Sequence, residues 1–179
     1  MAIDLALLQQ HATADGLPPV EEWHPDFCAD MDLVIRADGT WVHEGGEFRR
    51  PALMKLFSRI LRLDDDGCYY LVTPVEKVRI QVEDAPFVIL AAEVRDDSVV
   101  MVTNCEEVIT LGREHPIRVR AAHGNASEIP YVLVRKNLWA RLHRNVFYQL
   151  VELAEQRTEQ NVEGMWLQSQ GEWFCLGTI

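Results

Sequence analysis

Between residues 69 and 120 the chain reads YYLVT (69–73), VRIQV (78–82), FVILAAEV (87–94), VVMVT (99–103), VITL (108–111) and IRVR (117–120). Each run is short and rich in β-branched or aromatic side chains, which suit a pleated, half-buried surface. Asp, Glu, Gly and Pro separate the runs and supply the turns. The stretch predicts successive strands joined as an antiparallel meander.

Upstream the period changes. Leu53, Leu56, Phe57, Ile60 and Leu61 fall at i, i+3, i+4, i+7 and i+8, and Pro51 suits a first helical turn, so a helix is expected from Pro51 to near Asp64. Before it, Asp32 to Arg36 and Thr40 to His43 flank Asp38-Gly39 as a hairpin, and Gly45-Gly46 turns the chain again. Gly16-Leu17-Pro18-Pro19 detaches an N-terminal helix over 1–16. Downstream, Tyr131 to Arg135 reads as a strand. Trp139, Leu142, Val146, Leu150 and Leu153 then predict a helix from Leu138 to Ala154 with Asn137 as N-cap. Met165-Trp166-Leu167 and Trp173 to Leu176 form a closing hairpin around Gly171. Strands followed by a helix, twice over, indicate an α+β fold of two β-rich sub-domains, 17–86 and 87–179.

Two ungapped self-matches suggest internal duplication. Residues 38–48 resemble 163–173 at an offset of 125, and 72–86 resemble 102–116 at an offset of 30. Taken together they imply two halves with the order of their elements rearranged. The interface between such halves is a favoured place for a ligand pocket.

The 179 residues carry 17 Lys+Arg against 28 Asp+Glu, a net charge of −11, which argues against sequence-independent DNA binding. The longest apolar run, Phe87 to Ala92, is far short of the ~20 residues a membrane helix needs. Met1-Ala2-Ile3-Asp4 lacks a basic secretory start, so a cytoplasmic location is expected. Cys28, Cys68, Cys105 and Cys175 form no C-x-x-C pair, and the six His show no ligand spacing, so no metal site is drawn. Asp64-Asp65-Asp66-Gly67 lacks the alternating oxygens of a calcium loop and reads as a turn after the helix.

Positive charge is nevertheless concentrated. Residues 49–62 hold Arg49, Arg50, Lys55, Arg59 and Arg62 with no acid, and 118–144 hold six cations against Glu128 alone. Each segment includes a predicted helix start, where free N–H groups favour an anion, and together they suit a phosphate-bearing ligand. No nucleophile elbow, Walker loop, dinucleotide fingerprint or kinase set is present, and the adjacent Glu83-Asp84 reads as turn chemistry before Pro86. Catalysis is not argued, and no cofactor is expected.

The runs Asp38 to Trp41, Leu56-Phe57-Ser58, Ile60-Leu61-Arg62, Tyr69 to Lys77 and Val82 to Phe87 resemble a bacterial family catalogued as domain of unknown function 1285. Thr103-Asn104, His115-Pro116-Ile117, Pro130-Tyr131-Val132 and Ser169-x-Gly171 extend the likeness over nearly all of the chain after Trp23. The resemblance implies two sub-domains with internal duplication. It implies a C-terminal half superficially like a pleckstrin-homology barrel, strands closed by a helix. It further implies a nucleotide-like ligand at the domain interface and a part in bacterial signal transduction.

The expectation is therefore a non-catalytic module that holds a small anionic, nucleotide-type ligand and has a signalling protein as a further partner. Arg50, Thr73, Lys77, Asn104 and Arg135 are the expected contacts, with Glu76 and Asp84 ordering them from behind. The competing expectation is a protein-interaction adaptor that recruits its partner through a β-rich, aromatic face. A hydrolase would need clustered carboxylates or His with shifted pKa values.

Overall fold

The computed structural model describes residues 16–122, 128–159 and 161–179. The helix expected over 1–16 lies outside the described residues, apart from position 16. The chain divides into two compact units, Met1–Glu83 and Asp84–Ile179.

The N-terminal unit begins with a single 3-10 turn, Val20–Glu22. It continues through β1 (Phe27–Ile35), β2 (Trp41–His43), β3 (Gly46–Glu47), helix α1 (Pro51–Arg59), β4 (Leu61–Leu63), β5 (Tyr69–Val72) and β6 (Lys77–Val82). Local chemistry fixes the hairpin turns. Asp38 accepts the Thr40 N–H at 2.9 Å, and Glu44 and Gly45, at φ 49° and 75°, make the left-handed pair of a tight β2–β3 turn. Pro51 opens α1 as expected, but the helix stops at Arg59. Leu61, the last residue of the predicted stripe, instead pairs with Leu71 in the β4–β5 hairpin. A buried residue at i+8 satisfies a helix face or the start of a strand equally well, and pairing with β5 decides. The Asp64–Gly67 turn accordingly follows a strand, not a helix. Leu33, Ile35, Trp41, Leu71 and Val72 are all at most 1% exposed and form the centre of this unit's core. Each such aliphatic side chain contributes roughly 1.5–3 kcal/mol.

The C-terminal unit runs β7 (Phe87–Arg95), β8 (Ser98–Thr103), β9 (Val108–Thr110), β10 (Ile117–Ala121), β11 (Glu128–Arg135) and β12 (Leu138–Leu142). Helix α2 (Arg144–Glu152) and the three-stranded sheet β13 (Glu155–Glu159), β14 (Val162–Ser169) and β15 (Glu172–Thr178) follow. The expected helix over Leu138–Ala154 is half strand. Leu138, Ala140 and Leu142 are buried while Trp139 and Arg141 between them are not, the alternation of a strand. Asn137 lies in the β11–β12 turn beside Lys136 at φ 52°. His143 is the N-cap, its side chain accepting the Asn145 N–H. Strand β13, EQRTE, carries no apolar signal and escapes a hydrophobicity reading.

The first sheet has the order β3-β2-β1-β6-β5-β4, and the second β10-β11-β12-β7-β8-β9. Read from the other edge, the second is the first with every strand number raised by six. In both, the first and last strands of the set meet in parallel at the centre, β1 with β6 and β7 with β12. The expected meander is thus corrected: two antiparallel three-stranded halves are joined by a parallel pair. The expectation of rearranged halves is corrected too, because the repeat keeps chain order. The match at offset 125 compares two hairpins with the same left-handed turn pair, Glu44-Gly45 and Gln170-Gly171, and sets them one residue out of step. The match at offset 30 compares the turns after β5 and β8, where Thr73 and Thr103 cap alike. The three strands after α2 and the parallel β7–β12 pair also depart from strands closed by a terminal helix.

Candidate functional site

Residues directly opposite on paired strands share one face of the sheet. In the N-terminal sheet Arg62, Tyr70, Arg79 and Asp30 are opposed across β4, β5, β6 and β1. In the C-terminal sheet the strands in the same places, β10, β11, β12 and β7, oppose Arg118, Tyr131, Arg141 and Val88. Both units carry an Arg–Tyr–Arg row, and their surroundings differ.

The N-terminal row is neutralised by the chain itself. Arg62 meets Asp64 through two bonds of 2.5 and 3.1 Å and donates to the Val20 and Trp23 carbonyls at 2.8 Å. Arg79 meets Asp30 through two bonds of 2.5 and 3.0 Å. Lys77 reaches Asp64 at 2.6 Å and lies 4.0 Å from the centre of the Tyr70 ring. The Tyr70 hydroxyl donates to Asp66 at 2.7 Å, and this bond, helped by burial, pushes its pKa up to about 12. Asp64 is held below the usual carboxylate range: burial opposes that shift, but the bonds from Arg62 and Lys77 outweigh it.

The C-terminal row is only partly neutralised. The Tyr131 hydroxyl donates to both oxygens of Asp84, at 2.8 and 2.9 Å, and Arg141 reaches the same carboxylate at 3.4 Å. Burial raises the Tyr131 pKa, Asp84 adds to the rise, and Arg120 and Arg141 oppose it, so all four groups feel one another. Arg118 and Arg120, two residues apart on β10, point to the face of this row. Their guanidinium carbons stand 5.3 and 5.7 Å from the Trp139 ring, and that of Arg120 stands 4.1 Å from Tyr131. Among the described residues neither makes an ion pair with a carboxylate. Both are exposed. The result is an exposed cationic surface beside the half-buried Trp139 ring, with Tyr131 buried beneath it, suited to an anion.

The seven expected residues are distributed as follows. Arg50 is exposed at the N-cap of α1, and its side chain makes no capping bond. Thr73 is buried and its hydroxyl accepts the Glu76 N–H at 2.9 Å, closing the β5–β6 turn. Lys77 is engaged by Asp64. Asn104 clamps β7, its Oδ1 accepting the Val88 N–H at 3.0 Å and its own N–H donating to the Val88 carbonyl at 2.8 Å. Arg135 pairs with Glu107 over the Phe87 ring, so Asn104 and Arg135 converge on the first two residues of β7. Asp84 serves Tyr131 and Arg141. Its neighbour Glu83 serves the Ala37 N–H at 2.9 Å, so the two carboxylates have separate partners. Sequence reading placed Arg118, Arg120 and Arg141 in a basic segment but did not select them. The signal was there in the alternation of Ile117-Arg118-Val119-Arg120. Trp139 was lost to the mistaken helix.

A cleft of about 620 Å³ lies by Gly112, away from this face, and is lined by Thr110, Arg113, His115, Gln170 and Glu172. Arg113 and Glu172 pair with each other across it. Among the described residues no three His, Cys, Asp or Glu side chains come together as a metal site. Within the same residues no helix is long and apolar enough to cross a membrane.

Comparison with known proteins gives the family. Residues 18–85 match the family described as "Domain of unknown function (DUF1285), N-terminal domain", and residues 86–176 match "Protein of unknown function (DUF1285), C-terminal domain". The crystal structure of a DUF1285 family protein from Silicibacter pomeroyi is similar over 97% of this chain and 95% of its own, with 38% identity and a TM-score of 0.82. Another from Shewanella baltica is 30% identical over 68% of this chain and 91% of its own, with a TM-score of 0.55. No functionally curated protein shows significant similarity to the chain. The two domain matches together span almost the whole sequence, and the chain belongs to the DUF1285 family.

Proposed function

We propose that the protein is a non-catalytic, cytoplasmic binding module for a small anionic ligand of nucleotide type, held on the Arg118–Tyr131–Arg141 face of the C-terminal unit. One observation carries this reading: Arg118 and Arg120 stack on Trp139 and Tyr131 with no carboxylate partner among the described residues, whereas the equivalent N-terminal row is saturated with aspartates. Guanidinium groups recognise phosphate through paired donors, and the half-buried Trp139 ring beside them offers a flat surface to a heterocycle. Net charge of −11 favours a small ligand over a polyanion, which the rest of the surface would repel. Asn104 and Arg135 act indirectly, by fixing β7 beside Arg141. Arg50 is a further exposed cation in the N-terminal unit. The repeated strand order supports a duplication in which one copy became self-neutralised and the other kept its charge, in keeping with a sensing role in signal transduction.

The test is a thermal-shift screen against nucleoside mono-, di- and cyclic phosphates, since a ligand at a hundred times its Kd adds about 2.7 kcal/mol. A shift that disappears in Arg120→Ala supports the site. A flat response across the panel removes it. The adaptor reading would then gain, and it has its own observation. Along β7 the pairing with β12 covers Phe87, Val88 and Ile89, and beyond them Leu90 and Val94 are 52% and 49% exposed.

A further inference from the structure

Asp84 is an unusual member of the C-terminal row. Its side chain is 4% exposed, while that of Arg141, its cationic partner, is 34% exposed. The Arg141–Asp84 contact is a single bond of 3.4 Å, against the two-bond pairs of 2.5–3.1 Å that Arg62 and Arg79 make in the other unit. Asp84 also accepts from the Tyr131 hydroxyl with both oxygens, while Arg141 spends one long bond on it. A carboxylate so placed reduces the positive potential of the face and competes for Arg141 with any incoming anion.

Its position in the chain matters as much. Asp84 is the first residue of the C-terminal unit. Glu83, the residue before it, is tied to the N-terminal sheet twice, its carboxylate accepting the Ala37 N–H and its own N–H donating to the Ile35 carbonyl, both at 2.9 Å. Asp84 thus directly follows an anchored residue.

We propose that Asp84 is the resident counter-anion of this face and that a bound phosphate displaces it from Arg141. The proposal rests on the reading of the face as an anion site. Binding and displacement here are one equilibrium: whatever affinity Asp84 subtracts from the ligand is the free energy with which the ligand weakens the Asp84–Arg141 contact.

The test titrates inorganic phosphate into the wild-type protein and into Asp84→Asn, which keeps an acceptor for Tyr131 and removes the charge. Tighter binding in the variant, by about tenfold or more, is the expected result. A second measurement uses the wild type alone. The carboxyl carbon resonance of Asp84 should shift on addition of saturating phosphate while amide exchange in β10 to β12 slows. This readout stands even if the variant fails to fold. Phosphate binding of equal strength in both proteins, or an Asp84 carboxyl resonance that phosphate leaves unmoved, overturns the role of Asp84 and leaves the anion site standing. No phosphate binding by either protein overturns the anion site itself.

Discussion

The two sheets place an Arg–Tyr–Arg row on the same three strands and treat it in opposite ways. In the N-terminal unit Asp30, Asp64 and Asp66 answer every charge and hydroxyl of the row, so its cations are structural. In the C-terminal unit Asp84 alone answers, and Arg118 and Arg120 rest on aromatic rings and face solvent. Basic residues in one architectural position thus belong to the fold in one copy and are free for a ligand in the other. What separates them is the aspartates nearby, not the arginines.

The largest effect expected from breaking this contrast is on the N-terminal side. Asp64→Ala strands Arg62 and Lys77, whose side chains are only 10% and 18% exposed, and should cost about 3 kcal/mol in urea unfolding, the scale of a broken buried pair. A loss under about 0.5 kcal/mol, the scale of an ordinary surface change, would show that the pairs are not structural.

Acid should act on the same side. The carboxyls held below their usual range, Asp30, Asp38, Asp64 and Asp66, all lie in the N-terminal unit. A depressed folded-state pKa stabilises above the unfolded value, near 4 for Asp, and that stability is lost as pH falls through the folded value. Amide exchange in β1, β5 and β6 should therefore accelerate below about pH 4 before that in β10 to β12. Simultaneous loss in both units would contradict the asymmetry. At the alkaline end the sign reverses. Tyr70, with its pKa pushed up to about 12, contributes stability that is whole below about 10 and fades as pH rises toward its folded value.

A smaller effect on stability, but a decisive one on binding, is expected in the other copy. Arg118→Ala and Arg120→Ala should stay within about 0.5 kcal/mol of wild type in unfolding. Each should weaken phosphate binding about tenfold or more, as loss of a charge-assisted bond does. Destabilisation comparable to Asp64→Ala, with binding intact, would make the two rows alike and end the distinction.

Much of this was legible along the chain. Alternation marked nearly every strand from β5 to β10, and Pro51 marked the start of α1. The charge count also singled out residues 118–144. What failed were the places where two periods coincide. Leu138 and Leu142 fit a helix or a strand, and only the partners of β12 choose. Leu61 is the same case on a smaller scale. Thr73, Lys77, Asn104 and Arg135 are the residue types a phosphate site uses, and no sequence signal reveals that Glu76, Asp64, Val88 and Glu107 already occupy them.

By itself the sequence determined the positions of most strands, the tight turns and the overall α+β character, because steric preference and burial period act within a few residues. Tertiary structure alone decided the parallel joining of β1 to β6 and of β7 to β12, and with it which cations are neutralised. Asp30 meets Arg79 across 49 residues and Asp84 meets Arg141 across 57. A contact at that separation leaves no trace in local periodicity, since its free energy appears only once the intervening chain has folded and closed the loop.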